Sequence, residues 1–519
     1  MGRQFAGGVI VAAVGLAGCF VPLPGRAFLL VIPTAAISRA MAEGTEIDAG
    51  DSEDELLLEE EGTLHSDRAH PQSFGENSTS SASGEDAAAK APRPTLDLPV
   101  QGFELANGMR VVVAPDPSLD EVTVVVHYAV GSADDPEGKD GLAHLVEHLM
   151  FDGSEHVGRG DYARWIGRVG GESISGTTSL DSTDFRATVP PEQLPLVFWL
   201  ESDRLGFLGR RLDERTLQRE RAIVTDEARD RDLTRPFGAA GSAGLNKVFP
   251  EWHPYHRDYD PSGPPHITLD DVRAFLRTWY SPRNATLIVV GRVEESVVLA
   301  LAEKYFADLP GAAPPDRPAL PSQWRVGDQR VDVTAHSSHD EVTFMWTAPA
   351  LDLPGDAALD LAALILADPK GRLQRDLVAK GIAVSVTARE ASFRRASIFL
   401  VSAVVAGETA AQEVVTAIDQ AIRDLGSGVQ MSECERARDE WSDAMLLRLE
   451  TTKGRAALLA LRLASSSVWG LDKYDALKPA EVQLAVRVNL VPENRVIFIA
   501  HGARQHSGQG GATQTWQGQ

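Results

Sequence analysis

The ten residues Gly141-Leu142-Ala143-His144-Leu145-Val146-Glu147-His148-Leu149-Met150 set two imidazoles and a carboxylate among apolar side chains. At about 100° per residue, a helix brings His148 to within roughly 40° of His144, with Glu147 within about 100° of both. Leu142, Leu145, Val146, Leu149 and Met150 gather on the opposite arc, the stripe of a helix packed on a core. Two neutral imidazoles one turn apart can aim ring nitrogens at a single Zn2+, and the carboxylate between them can reach a water on that ion. The pattern equally suits a helix whose polar side faces solvent, and the motif alone leaves both readings open.

A metal held by two histidines needs a third protein ligand. Leu212 to Glu227 contains neither Pro nor Gly and reads as a helix. Glu220 and Glu227, seven apart, share a face to within about 20°, and Leu217 and Val224 share it with them. A carboxylate in an apolar stripe is costly unless paired or coordinated, so these glutamates invite a cation. A helix that faces water is the competing reading. Asp226 is the alternative ligand, although it points about 120° away from the Glu220 face.

These helices need a frame. Met109 to Ala114 and Val122 to Val130 read as strands, and the stretch closes at Pro282 to Gly291 with a Pro-x-Asn turn feeding an apolar strand. Pro492 to Ile499 repeats that ending, again after long helical runs. The sequence therefore predicts an α+β fold of two homologous domains, each a largely antiparallel sheet packed on helices. They occupy residues 98–308 and 322–503, joined by the Pro-rich linker 309–321.

The chain has 519 residues, 43% of them hydrophobic, enough for substantial cores. Its net charge of −24 argues against nucleic acid or an anionic membrane surface as partner. Residues 43–62 hold ten acids and no Lys or Arg, and with the Ser/Ala-rich stretch that follows they predict a disordered linker over 43–97. Residues 1–42 read as an export segment. Leu16-Ala17-Gly18-Cys19 resembles a bacterial lipoprotein signal, whereas the second apolar run, Ala27 to Ile37, suits a secretory signal cleaved near Met41-Ala42, or an uncleaved anchor. The expected location is the periplasm or the membrane-anchored cell envelope, with a possible tether through Cys19. Cys434 is the other of only two cysteines and lies in a charged helical run with no catalytic signature. Residues 504–519 are expected to be disordered.

GLAHLVEHLMFDGSE, followed further along by ERAIVTDE, resembles the inverted-motif zinc peptidases of the pitrilysin, insulinase and mitochondrial-processing-peptidase family, in particular its short bacterial two-domain zinc-binding subunits. NGMRVVVAPD, VGSADDPEGKDG, GTTSLDSTDF and YSPRNATLIVVG stand in family order around the motif, and the resemblance spans residues 98–503. It implies one Zn2+ per chain on His144, His148 and Glu227. It further implies Glu147 as the general base and Glu220 supporting the ligands from behind. Two such halves would form a bowl, and two bowls would enclose a chamber. The implied activity is zinc-dependent endopeptidase or oligopeptidase cleavage of peptides or unfolded segments. Val122–Val130 or Gly176–Phe185 is a candidate edge for an extended substrate.

Two departures stand out. Where the family carries Asn-Ala-x-Thr, this chain reads Ser175-Gly176-Thr177-Thr178, which weakens a role for those side chains. Within Arg372–Val384, Val378 and Val384 occupy the places of the Arg and Tyr that would bind substrate and stabilise the tetrahedral intermediate. Arg372 and Arg375 read as helix-surface charges. The expectation is a metal-binding subunit whose homologous partner supplies the missing pair. A non-catalytic scaffold or assembly subunit of the same fold is the alternative.

Overall fold

The computed structural model describes residues 98–234, 244–257, 266–321, 324–334, 337–407, 409–463 and 471–502. The expected export segment with Cys19, the linker 43–97 and the tail 504–519 lie outside them. Among the described residues no helix is long and apolar enough to cross a membrane.

The first sheet comprises β1 (Gln101–Glu104), β2 (Arg110–Pro115), β3 (Val122–Tyr128), β4 (Glu172–Thr178), β5 (Thr183–Val189) and β6 (Ala285–Gly291), in the order β1-β2-β6-β3-β5-β4. The second comprises β7 (Gly327–Thr334), β8 (Glu341–Ala348), β9 (Ala383–Ala391), β10 (Ser397–Val405) and β11 (Asn494–His501), in the order β7-β11-β8-β10-β9. In both, the last strand slots in parallel to an early strand, β6 to β2 and β11 to β7, while its other neighbour is antiparallel. The repeated topology is what the two Pro-x-Asn endings foreshadow: Asn284 and Asn494 sit directly before or at the start of these central strands.

Helices follow in chain order: α1 (Leu142–Phe151), α2 (Asp161–Arg168), α3 (Leu194–Phe207), α4 (Glu214–Thr234), α5 (Leu269–Trp279) and α6 (Glu295–Phe306) in the first half. The second half has α7 (Asp356–Ala367), α8 (Ala411–Ser427), α9 (Met431–Leu449), α10 (Thr452–Leu461), α11 (Leu471–Asp475) and α12 (Pro479–Asn489). The sequence places α4 at Leu212, but the helix begins two residues later because the Asp213 carboxylate takes the N–H of Thr216 at 2.8 Å. β3 also ends earlier than expected, at Tyr128. Residues 310–321 form neither helix nor strand.

β3 and β6 are buried at every position, which explains why VTVVVHY and ATLIVVG show little alternation: both faces of the sheet are covered. One face packs on α1, α3 and α6 through Val124, Val126, Leu287, Val289, Leu145, Val197 and Phe306. The opposite face is covered by α10 of the second half, where Ala456, Leu459 and Ala460 meet Val125, Ile288 and Val290. The second sheet is treated reciprocally. Val248, Phe249 and Tyr255, from the first half, pack on Met345, Ile398, Leu400, Val496 and Phe498. Each half therefore supplies the cover for the other's back face.

Candidate metal centre

Asp135 sets the start of α1. Its carboxylate accepts from the backbone N–H of Gly141 at 2.9 Å and of Ala143 at 2.8 Å, and Gly141 turns the chain into the helix at φ 88°. Burial pushes the Asp135 carboxyl up to about 7. Every residue from Leu142 to Met150 is buried, and Glu147 is fully inaccessible. The solvent-facing reading of the motif is thereby excluded: the polar side of α1 is turned onto α4.

Three ligand atoms converge there. His144 Nε2 and His148 Nε2 lie 3.3 Å apart, and Glu227 Oε2 stands 3.4 Å from His148 Nε2 and 3.7 Å from His144 Nε2. A tetrahedral ion with bonds near 2.0–2.1 Å holds its ligands about 3.3–3.5 Å from one another. The triangle therefore has the size that zinc requires. Glu227 Oε2 and Glu147 Oε1 are both buried without a hydrogen-bond donor, so a cation would satisfy oxygens that the protein leaves unsatisfied. His144, His148 and Glu227 together are a group that could hold a metal ion.

The electrostatics fit the same donor set. Burial disfavours a charged His148, yet the Glu220 and Glu227 carboxylates outweigh it and push the imidazole up to about 9. That held proton is what a metal would displace. Burial pushes the Glu147 carboxyl up to about 7, against a 2.6 Å bond from the Thr178 hydroxyl to Glu147 Oε2 that favours ionisation. Glu220 faces His148 Nδ1 at 3.7 Å and receives Arg219 Nε at 3.0 Å, a position from which it orients the ring. Asp226, the alternative ligand, is exposed and stays outside the group.

Two site residues escape a reading of the sequence. Thr178 is the partner of Glu147, although its segment departs from the family pattern; the departure replaces the Asn and Ala of Asn-Ala-x-Thr but keeps the final Thr, and that Thr is the signal. Gly176 is the second, since a Cβ there would come within 2.6 Å of Glu147 Oε1 and 2.7 Å of Phe151. Asp135 carried no signal beyond its place before the motif.

Of the two candidate substrate edges, β3 is central, and Gly176–Phe185 is not one strand but the end of β4, a turn and the start of β5; β4 is the sheet's last strand, so the outer edge nearest the metal group is Glu172–Thr178. Arg372 is not a surface charge: it bonds Glu433 Oε1 and the Gly428 carbonyl, both at 2.7 Å, and ties its segment to α9. Arg375 is exposed and pairs with Asp376, as the sequence suggested, and Val384 is an exposed apolar side chain.

Residues 110–235 match the insulinase domain (peptidase family M16), and residues 266–440 match the domain described as the peptidase M16 inactive domain. The zinc protease PqqE of Helicobacter pylori is 28% identical over 392 residues, covering 72% of this chain and 85% of that protein. The mitochondrial-processing peptidase subunit beta of Lentinula edodes is 26% identical over 215 residues, 41% of this chain and 45% of its own length. The probable zinc protease PqqL of Escherichia coli is 26% identical over 229 residues, 40% of this chain but only 23% of that protein. The last two matches thus cover less than half of their relatives' lengths. A crystal structure of a protease from Helicobacter pylori shares the fold with a TM-score of 0.70 at 24% identity, over 78% of this chain and all of that one. An M16 inactive-domain structure from Pseudomonas fluorescens does so with a TM-score of 0.67 at 20% identity, covering 78% and 98%. With both domain types matched in order and relatives named as zinc proteases, the chain belongs to the insulinase family of peptidases, M16.

Proposed function

We propose that the chain is a zinc-dependent endopeptidase or oligopeptidase, with one zinc on His144, His148 and Glu227 and with Glu147 as the general base. The observation that carries this is the convergence of three ligand atoms at zinc spacing beside a buried carboxylate poised to exchange a proton near neutral pH. Zinc held there would act as a Lewis acid towards a scissile carbonyl and acidify an attacking water. Glu147 takes the proton from that water and returns it to the leaving amine, while Thr178 fixes the carboxylate's rotamer. Glu220 holds the His148 ring towards Glu227. An extended peptide adds to the open edge of β4, which places its backbone along the site.

A partner subunit completes the enzyme in this reading, because Val378 and Val384 offer no donor for a tetrahedral oxyanion. The same two valines, with the match to the inactive domain, favour a second reading in which the chain is a scaffold that keeps the fold without turnover. Zinc per chain, measured on the full protein and on Glu227→Ala, separates the two alongside peptide cleavage. One zinc lost in the variant, with slow cleavage that a homologous subunit accelerates, supports the two-chain peptidase. Absence of zinc from a folded, zinc-supplied chain sinks it, and brisk turnover by the isolated chain removes the need for a partner.

A further inference from the structure

The back face of the first sheet changes character where α10 ends. Under α10 it is apolar. The adjoining cross-strand row reads Arg110 on β2, Thr286 on β6, His127 on β3, Asp184 on β5 and Thr177 on β4. Arg186 stands two residues along β5 on the same face, level with Ser175 of the edge strand. Arg394, from the β9–β10 turn, donates to His127 Nε2 at 3.2 Å, so the imidazole proton resides on Nδ1 and goes to Asp184 Oδ1 at 2.6 Å. Asp184 is thereby engaged.

Against burial, His127 and then Arg186 and Arg394 hold the Asp184 carboxyl below its usual range, and Glu104 acts on Arg110. Among the described residues neither Arg110 nor Arg186 makes a hydrogen bond or close ion pair, and Arg186 Nε is buried with no acceptor. Burial, and then the neighbouring Arg394, hold Arg110 below its ordinary range, with Glu104 opposing them. Arg186 and Arg394 thus share one carboxylate, already bonded to His127, in a chain of net charge −24. Arg394 also lines an open cleft of about 350 Å³, whose other arginines, Arg317 and Arg395, are already bonded to Asp134.

This island lies one strand in from the open edge. A peptide added to β4 alternates its side chains between the two faces of the sheet. Those level with Gly176 and Thr178 face the metal side, where Thr178 meets Glu147; those level with Ser175 and Thr177 face the arginines. Ser175 and Thr177 are small, and the roughly 10 Å from peptide to β5 is two strand spacings, a gap that an arginine reaching out and a glutamate reaching in span together. We infer that Arg186, backed by Arg394, forms a subsite for an acidic side chain, and that substrates carry Asp or Glu one or three positions from a residue facing the metal.

The inference rests on the peptidase reading for the peptide's path, so its test reads binding and cleavage separately. Fluorescence anisotropy of the zinc-loaded full chain bearing Glu147→Gln compares peptides identical except for Glu, Gln or Lys at the flanking positions. The Glu peptide is expected to bind about tenfold tighter than the Gln peptide and tighter still than the Lys peptide, with the gap narrowing at high salt. Arg186→Gln, and independently Arg394→Gln, should collapse that gap while leaving zinc content unchanged. Equal binding of Glu and Gln peptides, no binding of the Glu peptide, or a preference that both arginine variants preserve, overturns the inference. Zinc content and cleavage of an unselective protein substrate by the unmutated chain report on the peptidase reading whichever way the peptides behave.

Discussion

α1 and α7 begin alike, each after a glycine in the left-handed region, Gly141 at φ 88° and Gly355 at φ 101°, and each lies against a long helix, α4 or α9. Counted from those glycines, His144, Glu147 and His148 correspond to Ala358, Leu361 and Ala362, all buried. The facing helices differ in step. α4 turns Glu220 and Glu227 inward beside Leu217 and Val224, whereas α9 buries Cys434, Ala437, Trp441, Ala444 and Met445. The same scaffold position thus holds a metal-ligating set in one half and a mainly apolar set in the other. Two largely buried carboxylates facing two imidazoles need a cation to balance them.

That contrast can be broken most sharply at matched positions. Glu147→Gln keeps the shape and the Thr178 partner but cannot take a proton, so peptide cleavage should fall by about 10²–10⁴ while bound zinc persists in the same assay. In Glu227→Ala, zinc titration should show affinity weakened by at least about 100-fold, with melting little changed when zinc is absent. Leu361→Gln, the counterpart of the first change, should do the opposite: about 2–4 kcal/mol of stability lost in urea titrations, with zinc affinity intact. An intact unfolding midpoint in that variant would mean that α7 is not closed by apolar packing.

A smaller effect sharpens the comparison at the junction. His253 stacks on Phe249 with centroids 4.6 Å apart and contacts Trp324, and burial, with Arg395 nearby, pushes it down to about 4. Its folded pKa lies below the unfolded value of about 6.5, so its stabilising contribution is complete above that value and is lost as the pH falls from there towards 4. The loss amounts to at most about 3 kcal/mol, and a His253→Phe variant should flatten the unfolding midpoint over that range while the carboxylates still titrate.

The sequence carried a large share of this. Spacing put His144, Glu147 and His148 on one helix face and Glu220 with Glu227 on another, because a helix fixes side-chain direction from number alone, and the family resemblance singled out Glu227 as the third ligand. The duplicated strand endings carried the two-half topology. Contacts made across long separations were not legible: Thr178 to Glu147 depends on a sheet edge meeting a helix, and Arg372 to Glu433 on two helical segments 61 residues apart. The arginine island was hidden for the same reason, since Arg186 and Arg394 come together at Asp184 only after the strands are ordered.

The exchange of back-face covers bears on how the chain is made. When β6 leaves the ribosome the first sheet is complete, but Ala456, Leu459 and Ala460 lie some 170 residues downstream. At about 5–20 residues per second the apolar back of that sheet waits roughly 10–30 s for its lid. During synthesis, Val125, Ile288 and Val290 are therefore a surface that a holdase chaperone would recognise, and a truncation before Thr452 should send the nascent first half into aggregates rather than into a stable fragment.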